Sequence, residues 1–535
     1  MLHDLKLTHW TGGQLLAFSG LDGPTDYRNG LTARTSFSTP GLDIVLPGKA
    51  TVRFQADPAQ GGVLITGDAF RLDGKGESVT GAFLDTHHLL IDGPCTVENP
   101  NEAITVLQQG TRTLIGTPAA FQPEQIQADL HRAFAARGQW LDHQPLPPGL
   151  APAARRTLLK CLSLMKNQVY SPEGQIQHRW TTPDRWPHRA MWLWDSAFHA
   201  IGWRHIDPVL ARDALASVLE TQAANGFVSH RMDPTRTSTI TQPPILALGA
   251  KKIHDLHPSP DWIADIYPKL AAYLQWDIAN RDRDGAGLLE WEIEGDPNCR
   301  SGESGMDNSP RFDAATQMDA VDFNAFLALE CEIMAEFALQ LGRNEDAADW
   351  TRHHARICRL IRERLWSKDL GFFVDFDLEK NAPSGILACS GFLPLLCGAA
   401  SPEQAQALIG HRHNPDTFGT PFPVPSVAAA QARTMHPDMW RGPVWINLNW
   451  LIAEGLDRYG FTEAATDLRE KTRAEIEHHC EQYGTLFEFY DAQKETDPPH
   501  LHRKGACAPE KSPYKQVFHD FGWTATLYAD LCYRQ

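Results

Sequence analysis

Carboxylates set among aromatic residues and glycines mark three stretches of the chain: Met191-Trp-Leu-Trp-Asp195-Ser-Ala-Phe-His199, Glu303-Ser-Gly-Met-Asp307-Asn-Ser-Pro-Arg-Phe-Asp313 and Met439-Trp440-Arg441-Gly-Pro-Val-Trp445-Ile-Asn447. A fourth, Leu486-Phe-Glu488-Phe-Tyr490-Asp491, places a glutamate between aromatic neighbours. Connectors are ordinarily small and polar, so these stretches together suggest one aromatic-walled, acid-lined pocket. Aromatic rings can stack on the apolar faces of sugars. Hydrolysis of a glycosidic bond needs one carboxylic acid to protonate the leaving oxygen and a second carboxylate to activate water or attack the sugar. Asp307 is the candidate acid, because partial desolvation beside Met306 and Phe312 would raise its pKa. Glu488, between Phe487 and Phe489, is the candidate base. Taken alone, each has a plainer reading: an Asx-turn carboxylate for Asp307, and a glutamate alternating out of an apolar strand for Glu488.

The elements that must hold these residues change character along the chain. Residues 1–122 read as a small antiparallel β-sandwich-like domain, with apolar and β-branched runs at 42–46, 51–54, 63–66, 89–91, 104–107 and 113–115. Turn signals such as Pro47-Gly48, Gly61-Gly62 and Asp92-Gly93-Pro94 punctuate them. Residues 123–152 read as a helical and proline-rich linker, stiffened by Pro145, Pro147, Pro148 and Pro152. From residue 153 to 535 the period is helical, as in Phe323, Phe326, Leu327, Ile333, Met334, Phe337 and Leu341 ahead of Gly342. Further helices are expected near 153–169, 209–224, 262–280, 345–366, 401–410, 444–459, 462–482 and 521–533. The aromatic, acidic stretches fall largely between these helices, and long loops on a helical scaffold are where function usually sits.

Composition narrows the partners. With 49 Lys+Arg against 66 Asp+Glu, the net charge of −17 argues against a phosphate-binding surface for nucleic acid. There is no apolar run of membrane-spanning length, and the start of the sequence has no basic region followed by an apolar stretch, so a cytoplasmic protein is expected. The ten cysteines never approach CxxC spacing and read as reduced packing thiols. Asp282-Arg-Asp284-Gly285-Ala-Gly287-Leu-Leu-Glu290 has the look of a calcium loop, but Ala286 and Leu288 thin out its oxygen donors, so a polar turn is preferred over Ca²⁺. No organic cofactor is expected.

WLWDSAFHA, NGFVSH (225–230), TQPPILA (241–247), ESGMDNSPRFD, WRGPVWINLNWLI, FEFYD and FGWTA (521–525) follow one another in an order that resembles glycoside hydrolase family 63, over residues 155 to 530. That family holds processing α-glucosidases and bacterial mannosylglycerate and glucosylglycerate hydrolases, with the trehalases as more distant relatives. The resemblance implies an (α/α)6 barrel and inverting hydrolysis of α-glycosides. It implies Asp307 as general acid and Glu488 as general base, with Trp194, Asp195, Gln242, Trp440 and Arg441 binding the sugar. After Phe489 the sequence departs from its relatives: Asp491-Ala-Gln-Lys-Glu-Thr-Asp-Pro-Pro-His, extending to Lys515, replaces a proline turn followed by Thr-Gly, leaving the leaving-group side of the pocket unassigned. A glycerate aglycone would want a positioned cation, for which Arg231, Arg236, Arg189 and Arg185 are candidates by position. The expectation is an exo-acting α-glucosidase acting on a small carbohydrate. The alternatives are a mannosylglycerate or glucosylglycerate hydrolase, a trehalase on the same barrel, or a non-catalytic sugar-binding protein. Sequence leaves the oligomeric state open.

Overall fold

The structure, a computed structural model, describes residues 9–37, 39–46, 49–56, 63–74, 77–505, 507 and 511–534. The first eight residues and the turn signals Pro47-Gly48 and Gly61-Gly62 lie outside the described residues.

The first part of the chain forms two antiparallel sheets. One runs in the order β1 (Leu15–Ala17), β2 (Thr32–Thr35), β3 (Gly41–Ile44), β4 (Ala50–Phe54) and, from later in the chain, β9 (Cys95–Glu98). The other takes β5 (Val63–Ile65), β6 (Ala69–Asp73), β7 (Ser78–Phe83), β8 (His88–Asp92), β10 (Thr105–Gln109) and β11 (Arg112–Gly116), in the order β10-β11-β8-β7-β6-β5. Period-two alternation decides which side chains meet. In β8, Leu89 and Ile91 join Leu42, Val52, Phe70 and Phe83 between the sheets, while Leu90 faces out and packs with Ala69, Ala82 and Leu114 against Ile126 and Leu130. Leu130 opens α1 (Leu130–Asp142), which is therefore docked on the outer face of the second sheet.

The rest of the chain is a double ring of helices. Outer α2 (Pro152–Asn167) is followed by inner α3 (Leu193–Trp203), outer α4 (Pro208–Glu220), inner α5 (Leu246–Leu256) and outer α6 (Pro260–Arg281). Inner α7 (Val321–Gln340), outer α8 (Asn344–Arg364), an inner 3-10 segment at Cys389–Leu395 and outer α9 (Pro402–His413) come next. Inner α10 (Ile446–Arg458), outer α11 (Thr462–Tyr483) and inner α12 (Gly522–Tyr533) complete the circuit. The inner elements touch in the order α3, α5, α7, 389–395, α10, α12 and back to α3, which closes an (α/α)6 barrel. Every residue of α3 is buried. Such a helix has no polar face, so WLWDSAFHA, expected as a loop, carries no helical period although it starts an inner helix. The helix expected near 401–410 runs through Gly410, so that His411-Arg-His413 forms the last turn of α9.

The sandwich is fastened to the barrel beside the site. Asp520 accepts from Leu15 N at 2.8 Å and from Lys160 at 3.1 Å, and Arg185 donates to Phe18 O at 2.9 Å. Arg34 reaches Asp184 O at 3.1 Å. No helix among the described residues is long and apolar enough to cross a membrane. All ten cysteines are free.

Candidate active site

The site lies where loops enter the inner helices. Trp194 and Asp195 occupy the first turn of α3, Gln242 precedes α5, Trp440 and Trp445 precede α10, and Phe521 and Trp523 flank the start of α12. These residues, with Asp307, Glu488, Pro183, His188, Trp192, Gly305, Met439 and Arg503, line one cavity of about 70 Å³. Helix N-termini carry partial positive charge and unpaired N–H groups, an environment that suits carboxylates and sugar oxygens.

Aromatic packing builds the wall. Trp440 stacks on Trp445 at 3.7 Å, and Trp194 stands edge-on to Trp523 at 5.3 Å. Gly305, at φ +68°, sits against the Trp194 indole so closely that a Cβ there would meet Cζ2 at 2.4 Å. Gly305→Ala is expected to push the indole inward and lower kcat/KM by about 10²-fold, the scale for a misplacement of roughly 1 Å in a site. Steady-state kinetics beside circular dichroism checks it. Among the described residues, the buried indole N–H groups of Trp192, Trp440 and Trp523 find no acceptor, and all three residues line the cavity.

The loop bearing Asp307 is held from several sides. Arg300 N and Ser301 N donate to Asp307 O at 2.8 and 3.2 Å. Asn308 accepts from Trp440 N at 3.0 Å and donates to Asp438 O at 3.2 Å, joining this loop to the Trp440 segment. Beneath it, the fully buried Arg311 bonds Asp375 through Nε at 2.7 Å and Asp322 through Nη2 at 2.8 Å. Arg441 does not line the cavity; it pairs with Asp313 at 2.7 and 3.0 Å and donates to Asn308 O at 3.1 Å, so it braces the Asp307 loop from outside.

The electrostatics of the two carboxylates differ from the sequence expectation. Burial raises Glu488 above the ordinary glutamate value even though Arg503 pairs with it at 2.7 and 3.1 Å. Burial acts on Asp307 in the same sense, but the Lys504 ammonium, 2.6 Å from Oδ2, together with Arg503 and Cys299, outweighs it and holds Asp307 below the ordinary aspartate value. The expected upward shift of Asp307 is thus reversed by a cation the sequence did not nominate. Asp195, buried with Asp184 and Glu488 nearby, is pushed well above the usual range by burial. His188, which lines the cavity, bonds Asp184 through Nδ1 at 2.8 Å.

None of Arg185, Arg189, Arg231 and Arg236 lines the cavity. Arg185 is buried over Tyr170 and Arg236 pairs with Asp233. The one arginine on the cavity lining is Arg503, and Lys504 beside it reaches Asp307 from outside that lining; both come from the stretch after Asp491, which has no period or motif to announce them. His188, Trp192 and Trp523 were also missed; WLWD and FGWTA contained or adjoined the two indoles. Away from the cavity, carboxylate oxygens of Asp282, Asp284 and Glu290 lie within 4.8 Å of one another, the arrangement a cation would need. Glu290 also accepts from Arg283 N at 2.9 Å, and Arg364 lies 3.5 Å from Asp284, so backbone and guanidinium groups already meet much of that charge.

A helical barrel whose inner ends converge on paired carboxylates and an indole wall has the build of a glycoside hydrolase. The family model for the mannosylglycerate hydrolase MGH1-like glycoside hydrolase domain matches residues 187–524, more than half of the chain. The chain belongs to this family, within glycoside hydrolase family 63. It is 26% identical over 395 residues to a mannosylglycerate hydrolase of Thermus thermophilus, a match spanning 58% of this chain and 91% of that protein. A glucosylglycerate hydrolase of Mycolicibacterium hassiacum is 24% identical over 417 residues, 58% of this chain and 87% of the relative. The fold is that of a Thermus thermophilus mannosylglycerate hydrolase solved in complex with glucose, with a TM-score of 0.57 at 24% identity over 70% of this chain and 99% of that one. A Klebsiella oxytoca rhamnosidase shares the fold across 99% of this chain and 97% of its own, with a TM-score of 0.53 at 12% identity.

Proposed function

We propose that this glycosidase is an inverting, exo-acting α-glycosidase, with small α-glucosides as its first substrate class. The observation that carries the reading is the meeting of Asp307 and Glu488 on one small cavity walled by Trp194, Trp440 and Trp523. An aromatic-walled pocket of this kind suits a terminal sugar. Asp195, Gln242 and the free indole N–H groups would hold its hydroxyls. Asp307 would give its proton to the glycosidic oxygen as the C1–O bond breaks. On the opposite face, water would add to C1 and pass a proton to Glu488, so hydrolysis balances with one water consumed. Arg503 opposes the effect of burial on Glu488 and so favours the carboxylate form that task requires.

The names of the relatives bring glycerate conjugates of mannose and glucose beside simple glucosides as substrates. A cation at the side of the general acid favours that second reading, since a glycerate carboxylate needs one. The test is a panel of trehalose, kojibiose, nigerose, mannosylglycerate and glucosylglycerate, with released hexose as the readout. Cleavage of at least one member is expected; hexose from none of them, by protein that unfolds cooperatively, would contradict the reading.

A further inference from the structure

Lys504 and Arg503 are consecutive residues of one strap, yet each caps a different carboxylate of the site. Their surroundings separate their roles. Arg503 is fully engaged: its guanidinium bonds both oxygens of Glu488, donates to Tyr514 O at 2.6 Å and lies 3.9 Å over the Phe518 ring. The Lys504 ammonium has three N–H donors. Among the described residues, Asp307 Oδ2 is its one hydrogen-bond acceptor. About a fifth of each of these two side chains is accessible, 20% for Lys504 and 21% for Asp307, whereas Arg503 and Glu488 keep 4% and 3%. Asp307 lines the cavity, and Lys504 meets it from just outside that lining, so the pair stands where the site reaches solvent. A general acid stands beside the leaving oxygen, so the open side next to it is where the aglycone must lie.

The placement of Lys504 is built into the strap. Asp438 accepts from Lys504 N at 2.7 Å through one oxygen and from Gly505 N at 2.6 Å through the other. Met439 N donates to His502 O at 3.2 Å, and Lys504 itself holds a left-handed backbone at φ +54°, a conformation that costs energy outside glycine. The cavity of about 70 Å³ holds on the order of five water-sized volumes, less than a sugar with its aglycone, so substrate has to displace something as it enters.

We propose that Lys504 is the receptor for an anionic group on the aglycone, and that its transfer from Asp307 to that anion is what readies Asp307 to protonate the leaving oxygen. The inference rests on the acid role proposed above for Asp307. On binding, the Nζ–Oδ2 pair opens, Nζ takes the substrate carboxylate, and Asp307 takes a proton from solvent. When the anionic product leaves, Lys504 returns to the ionised Asp307. An uncharged aglycone does not draw Lys504 away, so Asp307 is protonated less often and such substrates are cleaved more slowly; discrimination appears in the chemistry as well as in binding. The other groups facing Asp307 are Arg503, Cys299 and His230, of which His230 is pushed down to about 4 by burial and stays neutral.

The experiment compares wild type, Lys504→Met and Lys504→Arg on a pair of α-glycosides of the hexose selected by the panel, one with glycerate and one with glycerol as aglycone. Wild type is expected to prefer the glycerate conjugate. Lys504→Met should lower the ratio of the two kcat/KM values by roughly 10–100-fold, the scale of one charged hydrogen bond, while Lys504→Arg keeps most of the preference. On the glycerol conjugate, Lys504→Met should raise kcat/KM and move the acid limb of its pH profile upward, because the ammonium no longer favours ionised Asp307. Binding of D-glycerate alone, measured by calorimetry, should weaken by a similar factor. Equal loss on both glycosides, or a wild-type ratio near one, would overturn the inference while leaving the glycosidase reading intact. Cleavage of nothing in the panel would overturn both.

Discussion

Asp307→Asn is expected to lower kcat by roughly 10²–10⁴-fold on any substrate the protein cleaves, because the amide fills the same space and has no acidic proton to give. The variant leaves Lys504 without its anion, but that ammonium is 20% accessible, so solvent compensates much of the loss and the fold should hold. Glu488→Gln should cost a similar factor in turnover, with a different structural consequence. Its partner Arg503 is 4% accessible, and an amide leaves that guanidinium charged and buried, a situation that typically costs about 3–5 kcal/mol. Thermal unfolding should therefore separate the two variants: Asp307→Asn close to wild type, Glu488→Gln clearly lower. Full activity in folded Asp307→Asn would remove it from the acid role.

The largest expected effect on stability is at Arg311, which touches no cavity residue through its ion pairs. Its guanidinium lies between Asp322 and Asp375, all three essentially inaccessible. Arg311→Met would leave two carboxylates buried side by side with no cation. Removing one partner of a buried network costs about 3–5 kcal/mol, a large part of a typical folding free energy. A fall in Tm of roughly 3–6 °C is expected for a chain of this size. Arg311 also sits in the 3-10 turn Pro310–Phe312, directly after the Asp307 loop, so surviving activity should fall as well. A Tm within a degree or two of wild type would show that the two aspartates take up protons or other partners at little cost.

How much of this was legible follows from burial. The outer helices have one wet face, so α8 and α11 could be read from their period, whereas α3 is buried on every side and gave only a string of aromatics. Asp307 and Glu488 were legible as carboxylates among aromatic neighbours. The ionisation of Asp307 was not, because it depends on Lys504, 197 residues away in sequence. Arg441 stood in the right segment but turned to Asp313, a choice that a motif cannot decide. The cations that pair with the two carboxylates, Arg503 and Lys504, came from the stretch after Asp491, where the sequence carries no motif to single them out.

The most direct measurement is proton NMR of the sugar released in the first minutes of hydrolysis, before mutarotation mixes the anomers. If Glu488 activates water on the face opposite Asp307, an α-glycoside gives the β-anomer first. Early appearance of the α-anomer would contradict the account, since it would require a covalent intermediate and a second displacement in place of a single attack by water.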